Sequence, residues 1–296
     1  MRKMVLLLFV LNLTFLFAEN WTYKVEKIEL PTGKAESEIY IYDAPDHLKD
    51  APDEGPTKFQ IDENGYIYIL DGKKIKIYDE TGKYLFSTEK QDLVIHSFLI
   101  YDNIIYTICG DYQNNVFLSR FDINCQLIDT HQINNRKSTL SINQNERVGL
   151  NLSNNNFLEF NFNGDDLVTS NSQYLNGCIL DFNLRERKQM VLIPEENIEL
   201  NLNKIWPNEI GHSFIGFDEN GNLYFNIYSK PLGDSNLGIV SQFGEVIETN
   251  VIFPHYTQFG LDLARGIPNI VTPDGQIYQM IPMKEKIEIR KWKKVE

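Results

Sequence analysis

Three of the five histidines, His96, His212 and His255, each stand ahead of a strand-like stretch, and Glu54 and Glu209 lie in equivalent connections. Three imidazoles meeting at one point could hold a zinc ion with one coordination position open. A water bound there would hydrolyse or eliminate. No ligand motif of fixed spacing surrounds these residues, so the simpler reading makes them separate loop or strand-entry side chains, some of them contacts for a bound ligand. His47 and His131 have no comparable placement. No Gly-x-Ser-x-Gly and no sequence-local Cys–His pair supplies a nucleophile, and no glycine-rich nucleotide loop is present. No metal, cofactor or catalytic residue is therefore expected.

Two recurring patterns invite a chemical reading and favour a plainer one. The turns Asp62–Gly65, Asp79–Gly82 and Asp218–Gly221 place a carboxylate three residues before a glycine. A calcium loop needs six or more oxygen ligands, and each turn offers one or two carboxylates, so turn formation is expected. Tyr68, Tyr106, Tyr224 and Tyr278 recur at one position after these turns. They could form a stacking surface, but recurrence at one repeat position favours packing, with the hydroxyls satisfied at the edge of a wedge.

The elements that must position these residues are clearest between Gly55 and Phe86, GPTKFQIDENGYIYILDGKKIKIYDETGKYLF. Apolar residues alternate with polar ones at a period of two, and Asp-Glu-Asn-Gly, Asp-Gly and Asp-Glu-Thr-Gly interrupt them. This predicts a four-stranded antiparallel meander. Copies follow at 96–133, 138–170, 177–204, 212–251 and 266–292, the fourth degenerate. Their first turns recur about every 42 residues, a period that signals repeats. Four strands per repeat, with no long helical periodicity, predicts an all-β fold: a six-bladed β-propeller of four-stranded antiparallel blades. The last unit supplies three strands, and Trp21–Leu30 is a strand without a unit. Placing it on the outer edge of the last blade closes the ring and avoids an exposed edge.

The segments GPTKFQIDENGYIYILDGKKIKIYDETGKYLF, SFIGFDENGNLYF and NIVTPDGQIYQM resemble repeats of six-bladed propellers of the NHL and TolB-like group, over about residues 55–292. The resemblance implies blade architecture. It also implies that the loops running from an outer strand to the next inner strand form the functional face, where His96, His212, His255, Glu54 and Glu209 would fall. NHL-type amidoglycolate lyases are similar in outline, which keeps a metal-assisted lyase or hydrolase as the alternative to a binding module.

The N-terminus reads separately. Arg2 and Lys3 precede an apolar run ending Leu16-Phe17-Ala18, the pattern of a secretory signal peptide over residues 1–18, with the propeller over 19–296. Export to the periplasm or beyond is expected, without stable membrane insertion after cleavage. The 296-residue chain carries a formal charge of −13. Arg2 and Lys3 are the only charged residues of the leader, so its removal deepens this to about −15. That disfavours nucleic acid, which requires basic patches, as a partner. A protein or small-molecule partner and a monomeric state are expected. Cys109, Cys125 and Cys178 are odd in number, and Cys109 and Cys125 are predicted a strand length apart, beyond disulfide reach, as free buried thiols.

Overall fold

A segment that alternates apolar and polar side chains buries one face, and a tight turn hands it to an antiparallel neighbour. A computed structural model shows this arrangement along the chain. It describes residues 20–41, 55–56, 58–88, 93–111, 113, 115–133, 139–142, 148–151, 156–163, 166–173, 179–183, 188–193, 198–209, 211–229, 234–241, 243–254, 269–283 and 285–295.

After an N-terminal strand β1 (Asn20–Pro31), the first unit is the sheet β2 (Phe59–Ile61), β3 (Ile67–Asp71), β4 (Lys74–Tyr78) and β5 (Tyr84–Ser87), paired in that order. The second is β6 (Val94–Tyr101), β7 (Ile104–Gly110), β8 (Val116–Asp122) and β9 (Leu127–Ile133). The third is β10 (Thr139–Ile142), β11 (Val148–Asn151), β12 (Asn156–Asn163) and β13 (Asp166–Gln173). Among the described residues the fourth has three strands, β14 (Ile179–Asn183), β15 (Lys188–Ile193) and β16 (Ile198–Asn201). A single helical turn, α1 (Leu202–Ile205), follows them; the Asn201 side chain caps it by accepting from Lys204 N. The sequence reading anticipates no helix, because one turn is too short to show a period.

The last eight strands and β1 form one nine-stranded sheet. Its first part is the meander β17 (Gly211–Phe217), β18 (Leu223–Tyr228), β19 (Ser235–Val240) and β20 (Val246–Thr249), with β21 (Ile252–Phe253) paired to β19. Its second part is β22 (Asn269–Val271), β23 (Ile277–Pro282) and β24 (Lys286–Val295), with β1 outermost. β1 pairs antiparallel with β24 from Thr22↔Val295 to Pro31↔Lys286, and two parallel pairs, Asn20↔Glu248 and Trp21↔Thr249, tie it to β20. Asn250 reinforces that junction, accepting from Tyr23 N at 2.7 Å and donating to Tyr23 O at 3.2 Å.

Apolar residues meet between sheets. Tyr68, Leu70, Ile75 and Ile77 pack against Ile95, Phe98 and Ile105 of the next unit. Tyr106 and Ile108 pack against Leu140, Val148 and Phe160. Leu200 and Leu202 meet Leu223 and Phe225. Tyr224 and Ile239 meet Ile277 and Trp292, joined by Trp21 and Tyr23. Tyr278, Met280 and Ile289 meet Ile67 and Ile69 of the first unit, together with Leu30 and Ile39, so the packing returns to where it began. The fold is therefore all-β, built of blade-like meanders stacked face to face in the manner of a β-propeller.

The turns behave as their residues require. In the first unit Asp62 Oδ1 accepts from Asn64 N and Tyr66 N, and Gly65 takes φ +80°. In the fifth, Asp218 Oδ1 accepts from Asn220 N and Asn222 N, and Gly221 takes φ +76°. Only glycine adopts that conformation without steric cost. These carboxylates are committed to the backbone.

Candidate functional site

The sequence reading places His96 and His212 in connections; both lie inside strands. Ile95, buried against the first unit, draws β6 back to Val94, ahead of the histidine. Ile95 pairs with Cys109 and Ser97 with Ile108, so His96 is the extra residue of a bulge. A bulge turns its side chain away from the ladder, and His96 is exposed. Its imidazole lies over Gly110, where an added Cβ would come within 2.5 Å of Nε2. Its carbonyl accepts from the Lys58 ammonium, a tie between the first two units.

His212 pairs with Ile227 near the start of β17 and is buried. Its ring lies 5.5 Å from that of Trp206 at an interplanar angle of 33°. Trp206 also meets Phe225 edge-on at 5.8 Å, and it fits because residue 238 is glycine: a Cβ there would lie 2.6 Å from Trp206 Cζ2. Glu209 N donates to Trp206 O at 3.3 Å. Burial lowers the His212 pKa and the Glu209 carboxylate partly offsets this, leaving the imidazole below its ordinary value. The neutral ring is therefore the form that the fold favours near neutrality.

The structure thus brings Glu209 and His212 together around Trp206 in the fifth unit and leaves His96 in the second. Glu54 and His255 lie outside the described residues, as do most of the loops Asp46–Glu54 and Pro254–Gly266 in which recognition could occur. Among the described residues, no group of three or more His, Cys, Asp or Glu side chains is placed to hold a metal ion. Trp206 was not singled out from the sequence. It follows the degenerate fourth repeat, where no alternation marks its surroundings.

The recurrent tyrosines are wedge residues. Tyr68 and Tyr224 are fully buried, and their hydroxyls donate to Asp62 Oδ2 at 3.1 Å and Asp218 Oδ2 at 2.9 Å. Tyr106 and Tyr278 occupy the corresponding wedges, also buried. No ring of this set forms a surface for stacking. Cys109 and Cys125 are free and buried. Burial raises both thiols, with the Asp122 charge adding to the shift at Cys125, which reaches about 12. Cys178 lies outside the described residues.

No protein-family model and no curated protein matches the sequence. Several solved structures resemble its chain path at low identity. The WD40 repeats of RRP9 are similar over 91% of this chain and 100% of that one, at 10% identity and a TM-score of 0.49. A chain of the mitotic checkpoint complex is similar over 93% of this chain and 86% of its own, at 9% identity and a TM-score of 0.46. A protein of unknown function from Bacteroides caccae is similar over 70% of this chain and 84% of its own, at 13% identity and a TM-score of 0.43. No helix among the described residues is long and apolar enough to cross a membrane.

Proposed function

We propose that this chain is an exported six-bladed β-propeller, closed by its N-terminal strand, that binds a protein or small-molecule partner on its loop face. The observation that carries this reading is where the reactive-looking groups are used. The turn aspartates are bonded to backbone N–H groups and to tyrosine hydroxyls, and the described histidines are divided between unit two (His96 and His131) and unit five (His212). Chemistry at a shared centre would need them together; recognition does not. The ladder of β1 on β24 supports closure, and the resemblance of the repeats to the NHL and TolB-like group supports six blades. The apolar run after Arg2 and Lys3 supports export, and the acidic balance argues against nucleic acid. On this reading His96, His212, His255, Glu54 and Glu209 contribute to the binding face, and the protein works as a monomer without a cofactor.

Metal content decides between recognition and metal-assisted lyase or hydrolase chemistry. The chain purified without a polyhistidine tag is expected to hold no stoichiometric transition metal, and chelator is expected to leave its melting temperature unchanged. One zinc per chain, lost on His96→Ala or His212→Ala, would replace recognition with metal chemistry.

A further inference from the structure

Each wedge tyrosine is followed by two residues, the first facing the preceding unit and the second the next. In the first unit these are Ile69 and Leu70, and in the second Thr107 and Ile108. Phe225 faces back from the fifth unit and Met280 forward from the sixth. All are buried, and Thr107 donates its hydroxyl to Ser119 O at 3.4 Å. The wedge between the fifth and sixth units departs from this pattern on both sides, with Asn226 facing forward and Gln279 facing back.

The two carboxamides belong to a polar patch. Asn269 Nδ2 donates to Asn226 Oδ1 at 2.8 Å, Asn226 Nδ2 donates to Ser213 Oγ at 3.2 Å, and Ser213 Oγ lies 3.1 Å from Tyr228 Oη. Gln279 sits directly across the ladder from Asn269 on one side and Arg290 on the other, so all three share the face turned to the fifth unit. Glu288 already engages Arg290 Nε at 2.6 Å and Lys27 Nζ at 3.3 Å. Gln279 is 0% exposed, yet neither its carbonyl oxygen nor its amide nitrogen has a hydrogen-bond partner, and the buried Asn269 Oδ1 has none. A buried amide left in this state opposes folding, and the corresponding positions described in units one and two, with Phe225 and Met280, hold apolar or hydroxyl side chains instead.

We infer that this wedge binds the vicinal hydroxyls of a neutral sugar, an inference that rests on the loop-face reading and names one of its sites. The unfilled set contains donors on Gln279 and acceptors on Gln279 and Asn269. A fully deprotonated anion cannot donate to the two carbonyls, and a metal or ammonium cation cannot accept from the amide. Adjacent hydroxyls do both. Ser213, Tyr228 and Asn269 are only half-buried, which leaves the row a way out to solvent. They lie near the start of β17, the end of β18 and the start of β22, the edge where outer strands lead into inner ones.

The test is titration of the purified chain with D-glucose, D-galactose and D-mannose separately at millimolar concentration, read by melting temperature and calorimetry. At least one sugar is expected to raise the melting temperature and give saturable heat. Gln279→Leu is expected to abolish both responses while melting at or above the wild-type temperature, since the unpaired amide is gone. Asn269→Ala, at the half-buried rim, gives a second reading should Gln279→Leu fail to fold, with binding weakened at least about tenfold. A wild-type protein indifferent to every sugar would show that ordered water alone fills the wedge and overturn the inference; so would a sugar response unchanged in the variants. Either result leaves the loop-face reading standing, because that reading falls only with a bound metal.

Discussion

Tyr224 Oη donates to Asp218 Oδ2 at 2.9 Å, so one carboxylate joins a wedge side chain to the turn that sets its strand. The other oxygen of Asp218 holds Asn220 N and Asn222 N. Tyr68 and Asp62 repeat the arrangement in the first unit. Packing between blades and turn geometry within a blade are therefore coupled in the first and fifth units.

Tyr224→Ala should cost about 3–5 kcal/mol, the range for deleting a large buried aromatic ring. Tyr224→Phe should cost only about 0.5–1.5 kcal/mol, since Asp218 Oδ2 keeps the Asn222 amide at 2.8 Å. Denaturant unfolding separates the two. A Tyr224→Ala change within about 0.5 kcal/mol of wild type would place the ring at the surface instead.

His212 predicts a particular acid sensitivity. Burial holds its folded pKa below the ordinary value, so the unfolded chain takes up the proton first. Stability from this group is complete above about pH 6.5 and is lost as pH falls below it. The depressed carboxylates act lower. Glu36, held at about 2 by hydrogen bonds from Lys74 and then Ser87, loses its contribution only as pH falls below about 4.5. Melting temperature measured from neutrality to about pH 5 should therefore fall in wild type and fall less in His212→Gln. Equal slopes in the two proteins would remove His212 as the source.

The limits of the sequence reading follow from its signals. Period-two alternation gave strands in units one, two, five and six, sharpened by Asp-x-x-Gly turns in units one and five, because pattern and turn residues there favour the same pairing. The match between Lys58–Ile69 and Ser213–Phe225 is one residue uneven, and the structure accounts for it: β17 carries an irregularity between Phe214 and Gly216. Extending that match by one residue sets Asn226 against Leu70, and the sixth repeat sets Gln279 against Ile69. The odd polar wedge was therefore legible in principle. The placement of His96 and His212 was not, since a bulge or an early strand start depends on buried partners such as Ile95 and on the gap that Gly238 leaves for Trp206.

Removing Trp21–Leu30 should destabilise the whole protein and favour aggregation. The deletion strips Leu30 from one wedge and Trp21 and Tyr23 from another, and it bares the edge of β24. Size-exclusion chromatography and thermal melting would show this. A deletion variant that stays monomeric with an unchanged melting temperature would mean that β1 adds nothing to the ring.

A binding face assembled from loops of separate blades keeps its shape only if the ring is closed, so the pairing of β1 with β24 is the relationship to measure directly. Lys24 and Lys293 are register partners. Paired residues in an antiparallel ladder have Cα atoms about 4.5–5.5 Å apart, within the span of a disulfide. The double variant Lys24→Cys, Lys293→Cys, purified and exposed to mild oxidant, should form an intramolecular cross-link between these two positions, identified by peptide mass spectrometry under non-reducing conditions. Closure by the N-terminal strand predicts near-complete linkage in the monomer; free thiols at both positions, or linkage only between chains, would contradict it.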